Sequence, residues 1–160
     1  MNKTAKIGVC TALLVLTLSQ GQAIAQDASS PSTDGETYVR IVEGTFDDIS
    51  FAVEQAITNE GLVIDLTSHV GDMLARTKED VGGAKDLFTQ ADIFSFCSAT
   101  VSREVIESDL TNIQHCPYTI FVYETAEKPG EILVGHRYYP GTTMAPVNEM
   151  LTRMVDTGVE

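Results

Sequence analysis

Residues 118–138 read YTIFVYETAEKPGEILVGHRY, and this stretch decides the fold. Tyr118 to Tyr123 is β-branched and aromatic, with Thr119, Phe121 and Tyr123 on one side and Ile120 and Val122 on the other, so it predicts a half-buried strand. Lys128-Pro129-Gly130-Glu131 then carries Pro and Gly where a type II turn needs them. Ile132 to Tyr138 should therefore return as an antiparallel partner, and Pro140-Gly141 ends it.

Three further strands and about four helices surround this hairpin. Tyr38 to Val42 alternates well enough for a first strand, closed by Gly44-Thr45. Thr45 or Asp47 can cap a helix whose buried face is Ile49, Ala52, Val53, Ala56 and Ile57, with Gly61 as its left-handed stop. Leu62 to Leu66 is a nearly continuous apolar run, expected as a strand buried on both sides or at an inner position. Ser68 can cap a weaker helix with the stripe Val70, Met73, Leu74 and Thr77, ending by Gly82-Gly83. Ile93 to Cys97 reads as a strand, and Ser98 as the cap of a helix reaching about Asp109 with Val101, Val105 and Ile106 in line. A last amphipathic helix buries Val147, Met150, Leu151, Met154 and Val155.

The N-terminus sets the expected compartment. Residues 1–25 hold Lys3 and Lys6, no acid, and the apolar run Ile7 to Leu18, followed by Ala23-Ile24-Ala25. That is the pattern of a secretory signal peptide cleaved after Ala25, giving a periplasmic or secreted product. Residues 26–36 are mostly Ser, Asp, Pro, Gly and Thr with little to bury, a flexible leader expected before a single domain over residues 37–157. Removing the signal takes the formal charge from −13 to −15. An acidic surface of this size argues against nucleic acid and anionic lipid as partners. No remaining apolar run approaches the roughly 20 residues of a membrane span, and Cys10 lies mid-run in the signal, so no membrane anchor is expected.

Two cysteines, Cys97 and Cys116, then remain of three. In an oxidising compartment two Cys in one small domain are more often joined than free. A structural disulfide, an exchangeable pair and two buried thiols all stay open on spacing alone. The helix opening at Ser98, together with Arg103 or His115, would be the means of stabilising a thiolate.

No serine-hydrolase elbow, zinc-protease helix, EF-hand loop or dinucleotide fingerprint occurs. Val81 to Asp86 lacks the spacing and the Ser/Thr of a phosphate loop, and reads instead as a helix terminus with a solvated lysine. His69, His115 and His136 form no ligand pair at helix or strand spacing, so neither metal nor haem cofactor is expected. Met144, Met150 and Met154 fit packing better than copper binding. His136 shares a strand face with Ile132, Val134 and Tyr138, where a lone histidine is more often a hydrogen-bonded core residue than a catalyst. Among few cations, Arg103 and Arg137 are the candidate anion contacts. His115, His136 and Tyr138 complete the candidate ligand-binding set.

The order and pattern of these segments resemble the domain-of-unknown-function family numbered 302. The resembling features are the helix ending in Gly61 with its apolar strand, Phe96-Cys97, Cys116-Pro117, Val122-Tyr123-Glu124, and the return to Tyr138-Tyr139-Pro140. They span roughly residues 45–140. The resemblance implies a TBP-like α+β domain: a curved, mainly antiparallel sheet of about five strands with helices packed on one face. It implies no catalytic residue. In that arrangement the end of one strand and the start of the next share an edge, so Cys97 and Cys116 could meet across their intervening helix. The bridge would close a 20-residue loop, worth on the order of 3 kcal/mol.

Two functions follow as expectations. The first is a non-enzymatic exported module that binds a small ligand or a periplasmic protein, held by a structural disulfide. The second is a thiol-based accessory factor in periplasmic redox or sulfur chemistry. An exposed edge at Ile132 to Tyr138 would add a route to homodimers by strand addition.

Overall fold

The structure, a computed structural model, describes residues 32–33 and 35–160. The expected signal peptide and most of the expected leader lie outside the described residues. Along the chain run β1 (Ser32–Thr33), β2 (Thr37–Glu43), α1 (Phe46–Asn59), β3 (Ile64–His69), α2 (Val70–Thr77), β4 (Phe88–Phe96), α3 (Ala99–Ser108), β5 (Tyr118–Thr125), β6 (Glu131–Arg137) and α4 (Ala145–Gly158). Short 3₁₀ turns cover Leu110–His115 and Thr142–Met144. The sheet is antiparallel in the order β1-β2-β6-β5-β4-β3. Five strands form its body, and the two-residue β1, inside the expected leader, pairs onto β2.

The central hairpin forms for the reasons its sequence states. β5 alternates strictly between buried and half-buried residues, with Tyr118, Ile120 and Val122 on the core side. Gly130 takes φ +86° at the turn position that demands it, and the Glu131 N–H closes the turn on the Lys128 carbonyl at 3.3 Å. The largely buried Glu124 carboxylate accepts from the Gly130 N–H at 2.6 Å, tying strand to turn. Ile132 and Val134 of β6 join the same core.

Thr45 caps α1 by accepting from the Asp48 N–H at 3.2 Å, and Val53, Ala56 and Ile57 are buried on its inner face. Ser98 caps α3 through the Val101 N–H at 3.3 Å. Helix α4 buries Val147, Met150, Leu151, Met154 and Val155, and packs mainly on α1. Helices α1, α3 and α4 with β2, β4, β5 and β6 enclose one core on one side of the sheet. Met144, Met150 and Met154 lie in that core.

Four expectations need correction. The run at Leu62 to Leu66 is not an inner strand: β3 starts at Ile64 and is the sheet edge, with Leu66 58% exposed. A continuous apolar run carries no information on which neighbours pair with it. Ser68 caps nothing, since β3 continues to His69 and α2 starts at Val70 without a side-chain cap. That helix stops at Thr77, before Gly82-Gly83, and Lys85 beyond it pairs with Glu127 at 2.9 Å. Finally, β6 is not an edge, because β2 and β5 flank it.

Candidate functional site

The antiparallel β4–β5 ladder brings Phe96 opposite Tyr118, so the chain leaves β4 and re-enters β5 at one end of the sheet. Helix α3 and the 3₁₀ turn fill the excursion. Cys97 and Cys116 meet there and are bonded, with their Cα atoms 6.4 Å apart. Both are half-buried. Ser102, one turn inside α3, donates its hydroxyl to the Tyr118 hydroxyl at 3.2 Å and lies 3.9 Å from the Cys116 sulfur. Burial raises the Tyr118 phenol pKa, partly opposed by the bond from Ser102. Tyr139 packs edge-on against Tyr118 and against His115, at ring separations of 5.7 and 5.2 Å. The Arg137 guanidinium lies over the Tyr139 ring at 5.2 Å. His115 and Arg137 are thus brought together around Tyr139, and Ser102 and Tyr118 link this group to the Cys116 end of the bridge. Arg103 is not: it is 78% exposed and paired with Glu107 one helical turn on.

His136 and Tyr138 belong to a second constellation, on the α4 side of β6. His136 is fully buried. Its Nδ1 lies 2.9 Å from the Arg137 carbonyl and its Nε2 3.0 Å from the Thr152 hydroxyl. A carbonyl only accepts, so Nδ1 carries the proton and Nε2 accepts from Thr152. Burial lowers the His136 pKa, against a smaller opposing effect of its backbone bond, so the ring is held neutral in one tautomer. Beside it, Asp156 accepts from the Tyr38 hydroxyl at 2.7 Å and from Arg40 at 2.6 Å. Asn148 binds both the N–H and the carbonyl of Tyr139, each at 2.9 Å.

Asn148, Thr152 and Asp156 repeat at one-turn spacing along the polar margin of α4. With Tyr138, Arg153 and Glu160 they line an open cleft of about 460 Å³. Sequence reasoning found Tyr138 and His136 but missed this row, although its i, i+4, i+8 spacing beside the apolar stripe is legible. Tyr38 and Arg40 carried no comparable signal, since Asp156 is 118 and 116 residues away.

Among the described residues no group of three or more His, Cys, Asp or Glu is placed to hold a metal ion. There too, no helix is long and apolar enough to cross a membrane.

No family model matches the chain, and no curated protein matches it. Among solved structures it is similar to an uncharacterised conserved protein of domain-of-unknown-function family 302 from Bacillus stearothermophilus. The identity is 16%, the TM-score 0.61, and the match covers 76% of this chain and 96% of that one. The order of strands and helices, the edge shared by Cys97 and Cys116, and this likeness agree: the chain has the α+β fold of family 302, which its sequence pattern resembles.

Proposed function

We propose that this protein is an exported, non-enzymatic module that binds a small polar ligand in the cleft beside Tyr138, with Cys97–Cys116 as a structural disulfide. The observation that carries the reading is the row Asn148, Thr152 and Asp156. Each of these side chains is held by a partner in the domain, so the cleft wall is fixed before any ligand arrives. The bridge ties α3 and the following turn to the strand ends, a scaffolding role. Export is supported by the signal-like N-terminus, and a disulfide fits an oxidising compartment.

Native mass spectrometry of the protein recovered from the exported fraction tests this. The expected result is a retained small-molecule adduct that a Tyr138→Ala variant loses. A wild-type protein carrying no adduct beyond that of the variant contradicts the reading.

The thiol-factor reading keeps one specific support. Cys97 immediately precedes the N-cap of α3, so a Cys97 thiolate released on reduction would lie beside the helix N-terminus, while the Cys116 sulfur neighbours the Ser102 hydroxyl. Alkylation rates against pH after mild reduction separate the two. A structural pair gives two thiols titrating near the reference value of about 8.5, and a redox pair gives one abnormally acidic thiol.

A further inference from the structure

The period of two along each strand puts a second set of side chains on the sheet face opposite the core. Register places Val39 and Ile41 of β2, Leu133 of β6, Phe121 and Tyr123 of β5 and Ile93 of β4 there together. All six are half-buried. Tyr123 and Phe121 rings touch at 5.8 Å. At the middle of this face is Gly135, where an added Cβ would strike the Tyr38 carbonyl and the Phe121 ring. Among the described residues α1, α3 and α4 pack on the other side, and α2 packs chiefly against β4.

We infer that this face is the interface of a homodimer, in which two copies stack their sheets face to face. Two arguments favour a second copy as the occupant. The first is size. Register adds exposed Leu66 of β3, opposite Ser95, to this face, and five strands about 4.8 Å apart, each of about seven residues rising roughly 3.3 Å, give a footprint near 550 Å² per copy. The pair then buries about 1,100 Å², above the roughly 1,000 Å² that separates specific interfaces from incidental ones.

The second is charge. On the β2–β6 ladder this face ends in Glu43 opposite Glu131, the latter paired with Lys128 at 2.9 Å, and at the other end in Arg137, whose exposed guanidinium leans over Tyr139, opposite Thr37. A two-fold axis lying in the interface across the strands sets each ladder antiparallel on its mate. The Arg137 end of one copy then meets the Glu43–Glu131 end of the other, twice, and the patch is complementary to itself. Between the ends the face is uncharged, so this is where two strongly acidic molecules approach with least repulsion.

Sedimentation velocity of the protein, as its producing cell processes it, tests the interface across micromolar to submillimolar concentrations. The expected species is a dimer. Phe121→Glu should make it monomeric with an unchanged circular-dichroism spectrum. Because Phe121 also packs at Gly135, a charge exchange gives an independent reading. Arg137→Glu should weaken dimerisation at least tenfold, and Arg137→Glu with Glu43→Arg should restore it. The inference is overturned by a monomer at every concentration, whether this face proves to be covered by another segment of the chain or by a different protein. A dimer indifferent to both Phe121→Glu and the charge exchange overturns it equally.

Discussion

The Tyr38 hydroxyl donates to the Asp156 carboxylate at 2.7 Å, joining the first long strand to the last helix across nearly the whole domain. Arg40 donates to the same oxygen at 2.6 Å, so a single carboxylate closes the fold's two ends. The Tyr38 phenol is pushed up by burial and by this acceptor. Asp156→Ala leaves both donors without it. Both charged side chains are partly exposed, 22% for Arg40 and 34% for Asp156, so solvent screens the ion pair. The expected loss is about 1–2 kcal/mol, read from the urea midpoint at unchanged m-value.

His136 makes stability depend on pH. Its folded pKa lies below the ordinary 6.5 because the ring is buried. As pH falls through the unfolded value, the unfolded chain takes up a proton that the folded chain refuses, so stability drops between about 6.5 and the lower folded pKa. Above 6.5 the group contributes no pH dependence. His69 behaves oppositely: its bond to Asp92 raises its pKa, and that contribution is present below 6.5 and is lost as pH rises through the folded value. Imidazole resonances followed by NMR should show His136 titrating below 6.5 and His69 above it. His136→Gln should flatten the acid side of the stability profile.

Removing the Thr152 hydroxyl isolates the other half of that pair. Thr152→Val strands the buried Nε2 of His136 as an acceptor without a donor. The expected cost is about 1–3 kcal/mol in chemical denaturation. A change below a few tenths would show that water replaces the hydroxyl.

Gly135 tests the close pairing of β2 and β6. The added methyl in Gly135→Ala meets the Tyr38 backbone, which cannot swing aside as a side chain could. A loss of about 1–3 kcal/mol is expected in thermal or urea unfolding.

Much of the fold was legible because its signals are local. The alternation of β5, the Pro129-Gly130 turn and the α4 stripe each lie within a few residues of sequence, and all appear as read. What failed was position in the sheet. Leu62 to Leu66 looked interior because it is apolar, yet strand order is set by pairing between distant segments, and β3 ended at the edge. The site divides in the same way. Cys97 and Cys116 could be linked through the strand ends that hold them. Arg103 was chosen for its charge alone, and Glu107 already engages it. The bonds from Tyr38 and Arg40 to Asp156 depend on the finished tertiary structure, and no pattern along the chain foretold them.

The bridge is the element on which the binding and redox readings divide. Replacing both cysteines, Cys97→Ser with Cys116→Ser, should cost about 2–4 kcal/mol of stability while leaving the fold and any retained ligand unchanged at low temperature.

The most direct measurement is native mass spectrometry of the exported protein with and without reductant. The untreated protein should be two hydrogen atoms lighter than the reduced protein, with the same retained adduct in both forms. Two free thiols in the untreated protein, or an adduct or activity that vanishes on reduction while the fold persists, would contradict it.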